Sequence, residues 1–541
     1  MSAQRECRVI LSINFNHDGA GVLLVDGQMA GFVCTERFSR LKKHPGLREE
    51  DLDELLAQAG ITLADVDHVM LCNLNNMDTP DIPQLHGSDL KHTWFEFWMN
   101  QRHDTVRIRG QEIPCTINPD HHTLHAAAPF YTSPFDTAAV LAIDPLGCRA
   151  FMGKGNRLFP LNRGYDQWFN ANIGYAHAAN EMFGSSVVGA GKVMGLAPYG
   201  QDDRVDTIDW KAVPGFAELV ELASIDPVLV DVPGRRLNAT LAYLIQVGLE
   251  RQLSAVLEDL AGVCRRNAVQ LNLCLSGGTA LNAIANQVCF EQSDFERLHL
   301  HPACGDDGTA IGAALWHWHH VLRRPRRPHA PAELMYSIRT YTEADVTAAA
   351  AAHTGRLTVT RTGDEIRASA ELLAAGAVVG WFDGASEIGP RALGHRSMLA
   401  DPRSPTIREK LNAQIKYREH FRPFAPAVLN DYAAAWFGLT DSPYMLRACP
   451  VLRDTVPAIT HVDGTSRIQT VTRADNGRFH DLIEAFTWLT GTPLVLNTSL
   501  NTKGLPIDET PADALDTLVH TDLDYLVFPG LIVGKSSPTH E

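Results

Sequence analysis

Two apolar strand–turn–strand patterns, one at the start of the chain and one beginning at Ala138, constrain the fold more than any other feature. The first runs CRVILSIN, NHDGAG, VLLVDGQMAGFVCTER, with Asp26-Gly27 as hairpin punctuation. The second, AAVLAIDPLGCRAFMGKGNRLFPL, repeats the order of apolar strand, acidic turn and second strand. A unit that returns in this way predicts an internally duplicated α/β architecture. Helical periodicity fills the intervals: EEDLDELLAQAG, and a long amphipathic run from Thr240 to Arg266 that leads into the strand LNLCLSGG and a helix starting near Ala280.

At 541 residues the chain is too long for one core. VLRRPRRPHAPAEL (Val321 to Leu334) interrupts the pattern with proline and arginine and reads as a linker with solvated basic residues. The expected domains are therefore residues 1–335 and a second α/β domain at 336–541. Hydrophobic content of 45% and charged content of 20% are those of a soluble globular protein. A net charge of -16 argues against nucleic acid as the main partner. The ten cysteines form no C-x-x-C, so neither a zinc knuckle nor a disulfide framework is indicated. With no signal peptide or membrane-spanning stretch, a cytoplasmic location is expected.

Constellations of three kinds carry chemistry: metal ligands, glycine-rich turns and a run of cations. In DHHTLHAAAPF, His121 and His125 stand one helical turn apart and can reach one metal ion. Asp144 and Asp306 are the carboxylates that could complete the site, although Asp306 would serve equally as an N-cap. Two imidazoles with two carboxylates suit Fe or Zn better than Mg or Ca. His122 is expected to face away from this site. SGGTALN follows a strand and opens a helix, so Gly277 and Gly278 allow backbone amides to approach an anion. GAGKVMGLAPYG places a lysine in a loop rich in glycine and proline but is no Walker P-loop.

The third constellation is a run of cations in an acidic chain: Arg391 and Arg396 in GWFDGASEIGPRALGHRSML, then Lys416, Arg418 and Arg422 in KYREHFRPFAP. Lys416-x-Arg418 reads as two cations on one strand face. Ser499-x-Asn501, ending the apolar strand of PLVLNTSLNTKG, reads as a triphosphate cradle. The competing reading is a set of surface salt bridges with Glu419 and Asp401. LKHTWFEFWMNQRHD, within Leu85–Arg107, could contribute to choice of substrate.

At these residues the chain resembles the NodU/CmcH-type O-carbamoyltransferases over nearly its full length. The motifs come in the family's order: NHDGAGVLLVDG, TERFSRLKKH, DHHTLHAAAPF, GKVMGLAPYG, SGGTALN, GDDGTAIGAA, EIGPRALGHRSMLADPR, KYREHFRPFAP and NTSLNTKGLPI. The resemblance implies an N-terminal actin-like (ASKHA) domain joined to a C-terminal YrdC-like domain, with Lys416-x-Arg418 and Ser499-x-Asn501 as the YrdC signature. It implies that carbamoyl phosphate and ATP form carbamoyl-adenylate, which passes internally to a hydroxyl of a small-molecule acceptor such as an antibiotic, toxin or other specialised metabolite. Nucleic acid and membrane are not expected partners, and the oligomeric state is left open.

By the same resemblance His121, His125, Asp144 and Asp306 hold a divalent metal, Fe(II), with Mg accompanying ATP. His17 acts near the acceptor, and Lys43, with Lys42 as its rival, contacts the intermediate or the acceptor. Gly277, Gly278 and Asn282 lie at the adenylate. Arg391, Lys416, Arg418, Arg422, Ser499 and Asn501 bind ATP and carbamoyl phosphate, Arg418 being counted as catalytic. The chain departs from the family at Asp144-Pro145, where Asp-Gly is usual, so the turn could differ in shape. The alternatives are tRNA threonylcarbamoylation, disfavoured by the acidic balance, and hydrogenase maturation, disfavoured by the missing C-x-x-C pairs.

Overall fold

The computed structural model describes residues 7–73, 95–100, 103–117, 119–208, 210 and 215–536. Strands β1 (Val9–Asn14), β2 (Ala20–Val25), β3 (Gln28–Cys34), β4 (His68–Cys72), β5 (Phe95–Asn100), β6 (His103–Ile108) and β7 (Gln111–Ile117) build one sheet in the order β3-β2-β1-β4-β7-β6-β5. β1 and β2 are antiparallel, as are β2 and β3, whereas β1–β4 and β4–β7 are parallel. A second sheet repeats the plan with β8 (Thr137–Asp144), β9 (Gly147–Lys154) and β10 (Arg157–Leu161). After a small hairpin, β11 (Leu229–Val232) with β12 (Arg235–Asn238), come β13 (Asn272–Ser276) and β14 (Arg297–Leu300), giving the order β10-β9-β8-β13-β14. Three antiparallel strands followed by two parallel ones therefore occur twice, as the recurring hairpins led one to expect. The aromatic side chains of the Leu85–Arg107 segment lie outside the described residues.

Helices His121–Thr132 and Asp307–Trp316 lie between these sheets and pack on each other. Their spacing depends on Gly312, where an added Cβ would stand 1.9 Å from the Leu124 carbonyl oxygen. The small residues of GDDGTAIGAA are thus a packing requirement, since only a bare backbone permits this approach. The amphipathic run forms helix Ala239–Arg266, which buries Leu244, Leu249, Leu253, Val256, Leu257 and Leu260 in the second half's core.

A third, mixed sheet is built from β15 (Leu357–Arg361), β16 (Val379–Phe382), β17 (Arg396–Ala400), β18 (Ala425–Leu429), β19 (Arg447–Pro450), β20 (Thr465–Val471), β21 (Leu494–Ser499), β22 (Tyr525–Phe528) and β23 (Leu531–Lys535). Its order is β15-β23-β22-β16-β17-β21-β18-β20-β19. It rests against both earlier sheets through specific contacts. Arg37 donates to the Gly389 carbonyl at 2.8 Å, Asn286 to that of Leu446 at 2.9 Å, and Lys192 pairs with Glu419 at 3.0 Å.

Several local expectations are corrected. GAGKVMGLAPYG is not a loop: Ser186–Leu196 is a helix capped by Ser185, with a short 3-10 turn after it. Lys416-x-Arg418 is not on a strand. Lys416 ends a π-helical turn (Leu411–Ile415), and Tyr417 beyond it has φ +46°. The helix after SGGTALN starts at Ala283, with a 3-10 turn at Gly278–Leu281 before it. Arg326 of the supposed linker is not merely solvated: its guanidinium donates to the carbonyls of Phe130, Ser133, Phe135 and Gly155, which ties the segment to the second sheet's helix. Among the described residues no helix is long and apolar enough to cross a membrane.

Candidate functional site

The turns that close the two repeated hairpins reach one cluster at helices His121–Thr132 and Asp307–Trp316, Asn16 and His17 meeting Asp306 and Asp144 meeting His121. The first helix, capped by Asp120, projects His121 and His125 to the same side. Asp144 ends β8, and Asp306 stands at the start of the second helix. The metal-ligating atoms of His121, His125, Asp144 and Asp306 all lie within 4.8 Å of one another. His121 Nε2 is 2.5 Å from Asp144 Oδ2, and His125 Nε2 is 3.1 Å from Asp306 Oδ1. Asp306 occupies the cap position, yet its carboxylate makes no cap hydrogen bond. It accepts instead from Asn16 Nδ2 at 2.6 Å and faces His17 Nε2 at 3.6 Å.

His122 does not turn away from the cluster as its helical position suggested. Its Nε2 is 3.2 Å from Asp144 Oδ1, buried and without a well-directed hydrogen bond. Pro145 leaves the turn intact, since Asp144 Oδ1 accepts from the amides of Leu146 (2.7 Å) and Gly147 (3.2 Å). Burial opposes the ionised form of both acids. Even so, the hydrogen bond from His121 and the close imidazoles of His122 and His125 hold Asp144 far below the carboxylate range, and His17 with His125 holds Asp306 at about 2. Burial likewise works against the His121 imidazolium, but its bond to Asp144 and the Asp306 charge raise its pKa. Two ionised, enclosed carboxylates facing two imidazoles form a donor set that fits a borderline divalent metal. The second coordination layer is also present, because His121 Nδ1 sits 2.9 Å from Asn73 Oδ1.

Beside this centre His17 Nδ1 is 3.0 Å from Asp18 Oδ2, and Lys43 Nζ donates to both Asp18 oxygens at 2.6 and 2.8 Å. Lys43 is thus fully engaged by Asp18, with its backbone amide bonded to Glu36. Lys42 has a different environment. It is solvent-exposed, and its ammonium is depressed first by burial and then, against the pull of Glu36, by Lys43, Arg422 and Arg391. Lys42 thus borders a cationic cleft shared with Arg391 and Arg422, and among the described residues its head group has no hydrogen-bonding partner.

Across the cleft lie Arg391, Lys416, Arg418 and Arg422, joined by Arg467, which the sequence did not reveal. A single arginine in a strand such as TSRIQTV gives no signal of its own. None of these five rests on a strong carboxylate pair. Glu419 is taken by Lys192, with Arg422 at 3.8 Å, and Asp401 is taken by Arg403. Of the five, the salt-bridge reading therefore holds for Arg422 alone, and only loosely. Arg418 bonds Asn412 Oδ1 at 2.7 Å and stacks over Phe424. Lys416 Nζ donates to Asn501 Oδ1 at 2.7 Å and also bonds Ser499, so the two short motifs do meet. The Nε atoms of Arg391 and Arg467 are buried with no partner among the described residues. Arg396 leaves this group: it is fully buried, donates to the Asp383 carbonyl at 2.6 Å and stacks on Phe382, a structural use.

Burial is the largest influence lowering the pKa of each cation in the cleft. Mutual repulsion adds to it for Lys416, Arg418 and Arg467, and Arg422 helps push Arg391 down to about 10. Because a guanidinium stays protonated, this depression expresses free energy that a bound polyanion would recover. Arg391 also reaches the Leu281 carbonyl, placing the cluster against SGGTALN. There Gly277 has φ +85°, and a Cβ would meet the Ile143 carbonyl at 2.1 Å, whereas a Cβ at Gly278 would meet nothing. The Asn282 side chain is committed to structure, capping Ala285 and donating to Gln246 at 2.8 Å.

Family models match both parts of the chain: "Carbamoyltransferase N-terminus" over residues 85–213 and 229–315, and "Carbamoyltransferase C-terminus" over residues 370–535. The chain belongs to the carbamoyltransferase family. An uncharacterized protein of Synechocystis is 32% identical to this carbamoyltransferase across 98% of the chain and 97% of that protein. Nodulation protein NolNO of Sinorhizobium fredii is 32% identical over 100% of the chain and 82% of its own length. Nodulation protein U of the same organism is 29% identical over 92% and 94%. The carbamoyltransferase thus has relatives along its whole length, spanning both the four-ligand centre and the cationic cleft.

Proposed function

We propose that this carbamoyltransferase makes carbamoyl-adenylate from carbamoyl phosphate and ATP in a YrdC-like C-terminal domain, and transfers the carbamoyl group to a hydroxyl of a small molecule in an actin-like N-terminal domain. The observation that carries this reading is the cluster of five enclosed cations whose single carboxylate pair is the loose one of Arg422 with Glu419, set against the open backbone at Gly278. Such a cleft suits the phosphates of a nucleotide together with a second phosphorylated substrate. Lys416, Arg418, Arg422 and Arg467 would hold these phosphates, with Ser499 and Asn501 orienting Lys416. Water takes the phosphoryl group of carbamoyl phosphate as inorganic phosphate, and the carbamate oxygen so released attacks the α-phosphorus of ATP, breaking its bond to the β-phosphate and expelling pyrophosphate. Arg418 and Lys416 stabilise the charge gathered on the phosphoryl oxygens.

Free carbamate is a poor electrophile, and adenylation gives it a leaving group. Enclosure between the sheets shields the mixed anhydride from water. His121, His125, Asp144 and Asp306 would hold a divalent metal, Fe(II) by family resemblance, which when bound polarises the carbamoyl carbonyl. His17 would take the acceptor's proton: Asp18 orients its ring, and against the opposing effect of burial Asp18 and Asp306 raise its basicity. Oxygen–carbon bond formation then expels AMP, and Lys42 is the cation available to its phosphate.

The test is pyrophosphate release from ATP by the purified enzyme with carbamoyl phosphate. Release that requires carbamoyl phosphate supports the reading; wild-type enzyme that leaves ATP intact refutes it. With Arg418→Ala, pyrophosphate release should fall by about a hundredfold while metal content is unchanged.

A further inference from the structure

One short segment, ERFSRLKK (residues 36–43), touches both reaction centres. On the C-terminal side Arg40 is held by a buried carboxylate. Its NH2 lies 2.6 Å from Asp508 Oδ1, its NH1 donates to the Ile507 carbonyl at 3.0 Å, and its Nε is 3.3 Å from Asp513. Asp508 is wholly buried, and its amide donates to the carbonyl of Leu500, which lies between Ser499 and Asn501. Thr517 donates to its other oxygen, so the carboxylate is fixed from both sides. Arg40 therefore ties the lysine loop to the segment that follows the Ser499-x-Asn501 motif, and among the described residues it bonds neither Lys416 nor that motif.

On the N-terminal side Lys43, three residues on, holds Asp18, and Asp18 holds His17. Arg40 and Lys43 both adopt left-handed backbone, with φ +61° and +64°. Side chains with a Cβ rarely take that conformation, and it persists only where the surroundings enforce it. Glu36 supplies part of that enforcement: its carbonyl accepts the Arg40 amide at 3.0 Å and its carboxylate the Lys43 amide at 2.8 Å. Lys42 lies between the two anchors, its head group in the cleft.

We propose that Arg40 is a positioning residue that sets the lysine loop against the phosphate cradle, so that the intermediate made on one side is delivered to the other rather than lost to water. This rests on the two-centre reading above and adds to it a specific link that the chemistry at either centre does not need. Arg40 touches neither centre directly. Its removal leaves the cradle's own bonds, Lys416 to Ser499 and Asn501, in place. What it frees is the left-handed turn that carries Lys42 and Lys43.

The experiment measures pyrophosphate released and carbamoylated acceptor formed in the same reaction, for wild type, Arg40→Ala, Asp508→Asn and Arg339→Ala. The last removes another pair between the N- and C-terminal parts, Arg339 with Glu54, and controls for loss of interface stability alone. Arg40→Ala should release pyrophosphate within about twofold of wild type while product per pyrophosphate falls about tenfold, the balance appearing as AMP and carbamate. Asp508→Asn, nearly isosteric, should do the same more mildly and serves if Arg40→Ala does not fold. Arg339→Ala should lower Tm and keep the wild-type ratio. An unchanged ratio in both Arg40→Ala and Asp508→Asn, or an equal fall in Arg339→Ala, overturns the inference while leaving the two-centre reading intact. A wild-type enzyme without carbamoyl-phosphate-dependent pyrophosphate release would instead bring down that reading, and this inference with it.

Discussion

At the scale of single residues, the structure separates groups that look alike in sequence. Lys42 and Lys43 are adjacent, but among the described residues one has no hydrogen-bonding partner in its cationic cleft and the other is bound by Asp18. Lys42→Ala should therefore raise the KM for ATP or carbamoyl phosphate and leave the pH profile in place. Lys43→Ala should shift the pH dependence of transfer, because Asp18 and His17 lose a neighbouring positive charge; steady-state profiles for the two variants check this. His121→Ala should spare pyrophosphate release yet abolish transfer and lower bound metal, with metal analysis as a readout independent of activity. Arg467→Met should cost adenylation about as much as Arg418→Ala, because both belong to the same uncompensated cluster. A variant that releases pyrophosphate at the wild-type rate would remove Arg467 from the cleft's chemistry. Candidate ligands were legible because H-x-x-x-H spacing is local. Arg467 was not, because its significance comes only from the cations around it.

At the scale of elements, helix Asp307–Trp316 positions a metal-site carboxylate and is itself positioned by one missing side chain. Gly312→Val would drive a Cβ into the Leu124 carbonyl and should destabilise the protein by about 2–4 kcal/mol, with reduced metal retention as Asp306 shifts from His125. Chemical denaturation and metal analysis measure the two effects. A fully stable variant with normal metal content would show that the helices are free to separate. The hairpins were readable from alternating apolar residues around Asp-Gly and Asp-Pro. The helix Ser186–Leu196 was not, since its glycines mimic a loop. It forms because Ser185 caps it and because Gly195 packs against Pro423 while His461 meets the Gly195 carbonyl at 3.0 Å, both contacts from distant sequence.

At the scale of the whole molecule, acid should unfold this protein early. His301, His317 and His319 are buried, and burial pushes each down to about 4. The folded state refuses protons that the unfolded chain takes up near pH 6.5, so stability is present at neutral pH and lost as pH falls towards 4. Each site should cost about 1–2 kcal/mol between pH 7 and pH 5, visible as a falling Tm. His319→Phe should flatten that slope. The sequence by itself determined the duplicated hairpins, the long amphipathic helix, the family and the candidate ligands, because periodicity, turn chemistry and motif spacing act over a few residues. Tertiary structure alone decided that Asp306 serves the histidines rather than its own helix, that Arg396 is structural while Arg467 joins the cleft, and that Arg40 meets Asp508. Those outcomes depend on which charges are buried together and which find a counter-charge, a property of packing between segments hundreds of residues apart that no local pattern encodes.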